Sequence, residues 1–225
     1  IRRHSQRGQR ISIRGLLIML WHIGNTTVRT PYRLREALRV LEGSPLSGNI
    51  SGNAQENAFA ELLHMNGVLD APRVEEGRDA SDLGRKWRAA LSQLGFITPQ
   101  LTNGTKTGTV DPALVEATAD IEELSGRPYE ITPNGYRLGQ AEIITAQQEC
   151  FLRALASYRI PSVIETRYRT KSFSPLRFVL RIMHALEEAG HEARLTFSEF
   201  ALFVQTASPA DGVEEVCKAI IEFRA

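Results

Sequence analysis

Residues 81–94, SDLGRKWRAALSQL, bring together the side chains best suited to touching nucleic acid. Trp87, Leu91 and Leu94 follow i, i+4, i+7 spacing, an apolar stripe that must pack inward if the segment is helical. Arg85, Arg88 and Ser92 fall on a stripe roughly 200° away at the turn angle of a helix, and Lys86 and Gln93 flank it. A helix that starts at Ser81 and is buried on its Trp side would turn Arg, Lys, Arg and Gln outward, the types that read base edges and phosphates in a major groove. Any solvent-facing helix side tends to be charged. Here, however, the sole acid within 81–94 is Asp82, in the first turn, where a carboxylate suits the helix dipole. Two further groups have similar chemistry. Asn25, Thr26, Thr27 and Arg29 place small amide and hydroxyl groups beside an arginine, just before a helix start that also carries Arg33. That pattern fits phosphate or base contacts, and it equally fits a helix-capping loop. Arg167, Arg169 and Lys171 alternate with Tyr168 and Thr170, so in a strand they share one face. They would then line a phosphate backbone, or simply guard a solvated edge strand by charge.

Catalytic constellations are harder to find. The common metal-dependent restriction nuclease needs an acid, then a Glu or Asp two residues before a Lys, to hold a metal and position water. The residues two before the four lysines are Gly84, Gly104, Arg169 and Val216, none of them acidic. His4, His22, His64, His184 and His191 are scattered, with no HExxH or Cys/His cluster, and no Walker loop or GxSxG elbow follows a strand. No catalytic or metal-binding residue is therefore assigned, and His64, on an otherwise apolar helix, reads as an interior histidine. A degenerate metal site among the acids of 111–124 is a remote alternative. Cys150 and Cys217 sit in helix-like sequence and read as small core residues of a reducing compartment, too few for a disulfide framework.

The elements that must position these residues follow from pattern and charge. The chain has 225 residues, 42% hydrophobic and 24% charged, and its net charge of +1 conceals blocks. Residues 1–40 carry a net +8, 41–150 a net −8, 151–181 a net +6 and 182–225 a net −5. Basic blocks make local fields that attract phosphate. Arginine supplies 23 of the 27 basic residues, a bias to which GC-rich coding also contributes. The longest apolar run, Leu16–Trp21, is too short to span a membrane, and nothing reads as a secretory signal, so a cytoplasmic protein is expected. The start at Ile1 rather than Met fits a trimmed chain or fragment.

Residues 1–20 read as a basic arm, poorly ordered. Thr30 and Pro31 open a helix with Leu34, Leu38 and Leu41 on one side. Asn53–Met65 forms a second helix with Phe59, Leu62 and Leu63 inward and Gly67 as its stop, and Ser81–Leu94 a third. Gly95–Ile97 and Tyr129–Thr132 read as strands around a polar segment (98–110) and an acidic helical one (111–124). Pro133 starts another short helix. Helices, strand, elaborated loop and strand follow one another as in a winged helix-turn-helix. Further helices are expected over 147–157, 174–189, 196–205 and 211–223, with extended basic sequence over 160–171. The fold class is mainly α with small β-wings, in tandem winged helix-turn-helix-like modules.

The ordered blocks WHIGNTTVRTPYRLREALRVL, GNAQENAFAELL, FLRALASYRIPS, SPLRFVLRIMHALEEAG, LTFSEFALFVQTA and VEEVCKAIIEFRA make the sequence similar, over 21–225, to AlwI-type type IIS restriction endonucleases and related nicking endonucleases of bacteria. The resemblance implies that this region recognises a short asymmetric site in double-stranded DNA through winged-helix-like subdomains. It places cleavage in a separate PD-(D/E)xK nuclease domain or subunit that uses magnesium. That nuclease part is absent from these residues, so no cofactor is expected within them. By position, Asn25, Thr26, Thr27 and Arg29 match the family's opening motif, and Arg85, Lys86 and Arg88 fall in its first winged helix. The domain expectation is a first recognition module over 21–145 and a second over 146–225, acting as a monomer. A winged-helix transcriptional regulator and a winged-helix protein-interaction module are the alternatives.

Overall fold

The computed structural model describes residue 21 and residues 30–100, 128–160, 172–207 and 212–225. They are mainly helical. The chain divides into two compact units, a central one over Ile23–Arg177 and a terminal one formed by Ile1–His22 with Phe178–Ala225.

In the central unit, α1 (Pro31–Leu41) starts with Thr30 in extended conformation and Pro31 in the first helical position, where a missing N–H costs nothing. It buries Leu34, Ala37, Leu38 and Leu41, together with Arg35. α2 (Asn53–Met65) buries Phe59, Ala60 and Leu63 and, on the same stripe, Glu56. A short α3 (Pro72–Glu75) lies in the polar segment that follows. α4 (Ser81–Gln93) buries Trp87, Ala90 and Leu91. Its end is fixed by Gly95, whose φ of +68° is left-handed. Gly95 N–H donates to Ser92 O (3.0 Å) and Phe96 N–H to Leu91 O (2.9 Å), closing the helix while Phe96 turns into the core.

Beyond this cap the expected strands are reduced to one antiparallel bridge, Ile97 with Ile131. Thr98 N–H donates to Glu130 O (2.9 Å), Thr132 N–H to Phe96 O (3.0 Å), and Tyr129 N–H crosses to Gly48 O (2.9 Å) in the loop between α1 and α2. Thr132 then caps α5 (Pro133–Gly139), its hydroxyl accepting from Gly135 N–H and donating to Gly95 O (2.6 Å). α6 (Ile144–Ser157) starts three residues earlier than the pattern predicts and buries Cys150 and Ala154. Both enter the same apolar core as Leu34, Phe59, Trp87 and Phe96. For this reason the central unit runs on past the 145/146 division expected between modules. A second antiparallel bridge joins Ile160 and Phe173. No longer β-ladder occurs among the described residues, and the segments expected to form wings (101–127 and 161–171) lie outside them.

The terminal unit contains most of α7 (Pro175–Glu188), which buries Phe178, Ile182 and Leu186 one turn apart. Thr196 and Glu199 form a reciprocal capping box at α8 (Phe197–Glu199). The helix expected to continue to Gln205 does so as a π-helix, Phe200–Val204, with Gln205 N–H donating to Phe200 O (2.8 Å). α9 (Val213–Arg224) buries Val216, Cys217 and Ile220. Trp21 completes this unit: its backbone N–H donates to Gln205 O (3.1 Å) and its indole N–H to Val204 O (3.1 Å). The ring stands edge-on to Phe178 and Phe200, with centroids 6.4 and 5.9 Å away. Both cysteines are free and buried, and burial raises both thiol pKa values. No described helix is long and apolar enough to cross a membrane.

Candidate nucleic-acid interface

α4 is held against α2 at successive turns. Asn57 Oδ1 accepts from Ala80 N–H (2.7 Å) at the start of α4. One turn on, Gly84 meets the backbone of Glu56 so closely that a Cβ at position 84 would lie 1.8 Å from Glu56 O. Another turn on, Arg88 Nη2 donates to Glu56 Oε1 at 2.7 Å, with only 5% of the Glu56 side chain exposed. Glycine is required at 84 because any side chain would separate the two helices.

This contact corrects the outward stripe expected on α4. Gly84 and Arg88, one turn apart, pack on α2, so Arg88 leans back to Glu56, and Ser92, a further turn on, is buried. The Arg88 side chain remains 21% exposed. Its Nε is buried without a partner, while Nη1, bonded by no described residue, reaches solvent. Ser81 is buried too, its hydroxyl donating to Asp79 Oδ2 (2.9 Å). Gln93 is half-buried, with Oε1 unpartnered.

The outward side of α4 carries Arg85 and Lys86. Arg85 is exposed and has no hydrogen-bond or ion-pair partner among the described residues. Lys86 lies 3.3 Å from Asp82 Oδ2, and Arg73 binds the other oxygen of the same carboxylate at 2.7 Å. Burial opposes the Asp82 charge, but the Lys86 hydrogen bond and the charges of Arg73 and Lys86 outweigh it and hold the carboxyl below its ordinary range. Asp82 therefore organises two cations at the start of α4. Arg33 is exposed on α1, with no partner among the described residues. Asn25, Thr26, Thr27, Arg29, Arg167, Arg169 and Lys171 lie outside the described residues.

The structure thus brings Arg85, Lys86 and Arg88 onto one helix, and adds Glu56 and Arg73, which the sequence reading did not single out. A signal for Glu56 was present: it occupies the i position of the buried i, i+3, i+4, i+7 stripe with Phe59, Ala60 and Leu63, where an acid requires a partner. His64 is half-buried, with Nδ1 3.1 Å from Leu69 O and Nε2 3.4 Å from Glu75. Among the described residues, no three His, Cys, Asp or Glu side chains converge to hold a metal.

No curated protein and no solved structure shows a significant match to the chain. The family profile described as AlwI restriction endonuclease matches residues 92–225, more than half of the sequence, from the last turn of α4 to the end of α9. The chain belongs to the AlwI restriction endonuclease family.

Proposed function

We propose that this chain recognises a short asymmetric site in double-stranded DNA, as the recognition part of a type IIS restriction or nicking endonuclease. The observation that carries the reading is α4: a helix fixed on one side to α2 that turns Arg85 and Lys86 outward and keeps Nη1 of Arg88 in reach of solvent. Its setting supports a winged-helix reading of the central unit. α1, the 48–50 segment, α2, α4 and the paired 96–98 and 130–132 segments follow in the order of such a domain, with Tyr129 N–H bonded to Gly48 O. In that reading α4 enters the major groove, where Arg offers two parallel donors to guanine or phosphate. Asn25, Thr26, Thr27, Arg29 and Arg33 contact DNA before and on α1. Arg167, Arg169 and Lys171 supply backbone contacts that position the protein without reading sequence. The protein acts as a monomer, and cleavage belongs to a separate magnesium-dependent nuclease centre.

The test is selection of duplexes from a randomised pool by the purified chain at near-physiological salt, followed by sequencing. Enrichment of one asymmetric site of a few base pairs is the expected result. A palindromic site would favour a dimeric regulator. Retention without preference, or none, would overturn the reading.

A further inference from the structure

We propose that Glu56, on α2, is a positioning residue for DNA recognition. It holds the Arg88 guanidinium through Nη2 so that Nη1 meets DNA already oriented. The inference rests on the DNA reading above and adds a residue that makes no DNA contact itself.

Three observations converge on Glu56. Its carboxylate is buried, with the side chain 5% exposed, yet it sits on the apolar stripe of α2, where Phe59, Ala60 and Leu63 enter the core. A buried carboxylate at such a position needs a charged partner to be tolerated. Arg88 is that partner, through Nη2 at 2.7 Å. The guanidinium is not consumed by this bond. Nη1 has no partner among the described residues and reaches solvent, one turn from the open Arg85. Finally, the Glu56 backbone is what Gly84 rests on, so the same residue fixes both the rotation of α4 about its axis and the orientation of its second arginine.

An arginine on a flexible stem loses rotamer freedom when it binds, and one already anchored loses less. Guanidinium is also planar, so tethering one nitrogen narrows the directions in which the remaining donors point. A lysine at 88 would satisfy Glu56 equally well by charge but would have no second nitrogen to turn to solvent. Arginine at this position therefore matches a double duty, structural on the α2 side and recognitional on the solvent side.

Two variants test the assignment in the full chain, measured against the duplex enriched from the pool and an unrelated duplex of the same length. Glu56→Gln keeps the shape and removes the charge, and Arg88→Lys keeps the charge and removes Nη1. Both are expected to lower affinity for the selected duplex about ten-fold, the size of one hydrogen bond from a charged group. Glu56→Gln should leave the unrelated duplex unchanged or bound slightly tighter, because one negative charge is gone. Combined, the two should lose no more than either alone, because both act on the same contact. Thermal melting separates these effects from unfolding, and if Glu56→Gln does not fold, Arg88→Lys carries the test. Folded variants with unaltered selectivity, or with equal losses on both duplexes, would overturn the role of Glu56 and leave the DNA reading standing. If the unaltered chain enriches no duplex, the DNA reading fails and this inference fails with it.

Discussion

Glu199 shows how one carboxylate can be committed to structure. It is almost fully buried, accepts from Arg224 Nε at 2.6 Å, and closes the capping box with Thr196. The Arg224 hydrogen bond, with those from Thr196, outweighs burial and lowers its pKa from 4.5 to about 2. A group depressed in this way stabilises the fold fully above its unfolded pKa, and the contribution is lost as pH falls through the folded value. A shift of this size corresponds to roughly 3 kcal/mol. The terminal unit should therefore melt at falling temperatures between about pH 4.5 and pH 2, and Glu199→Gln should flatten that dependence while lowering stability at pH 7. Melting curves across the window decide it. On the recognition side, Arg85 has no partner to lose among the described residues, so Arg85→Ala should leave the melting temperature unchanged and reduce affinity for the selected duplex by ~1–3 kcal/mol if it reads a base. Equilibrium titration of both duplexes gives the answer: equal losses on both would mean a phosphate contact instead.

At the scale of elements, helices were the most legible part of the sequence. Pro31, Asn53, Ser81, Pro133 and Pro175 each stand at an observed helix start, and Gly67, Gly95 and Gly190 lie just past observed ends in left-handed conformation. Start and stop signals are local, so a linear reading can find them. The face that α4 shows to solvent was only partly legible. Periodicity placed Trp87 and Leu91 inward correctly. It could not reveal that α4 is also covered along Gly84 and Arg88, because that depends on the approach of α2. The position that decides this approach is Gly84. Gly84→Ala would favour an isolated helix by about 1 kcal/mol. In this fold it forces a methyl group into Glu56 O, and the expected outcome is net destabilisation of about 2 kcal/mol or more. Denaturant unfolding measures it, and a stabilised variant would mean that the helices separate without cost.

At the scale of the whole molecule, the contact least visible in the sequence is the one between its two ends. Trp21 and Val204 are 183 residues apart, and no local pattern pairs them. The indole is 3% exposed, sandwiched edge-on by Phe178 and Phe200, so Trp21→Ala should cost about 3–5 kcal/mol in the terminal unit. Loss of a protected, blue-shifted component of tryptophan emission together with a lower melting temperature would confirm it. The same distance explains why residues 21–145 and 146–225 read naturally as consecutive modules, whereas compactness groups Trp21 with the last helices.

That closure has a consequence for how the protein is made. At ~5–20 residues per second, a ribosome that has just added Trp21 needs roughly 10–40 s more to reach Val204 and Gln205. During that interval the helices α1 to α6 can fold as the central unit, while Trp21 stays without its acceptors. The terminal unit can assemble only after nearly all of these residues have left the ribosome. Chains released early thus carry the central unit and an indole that still lacks the partners of the complete fold.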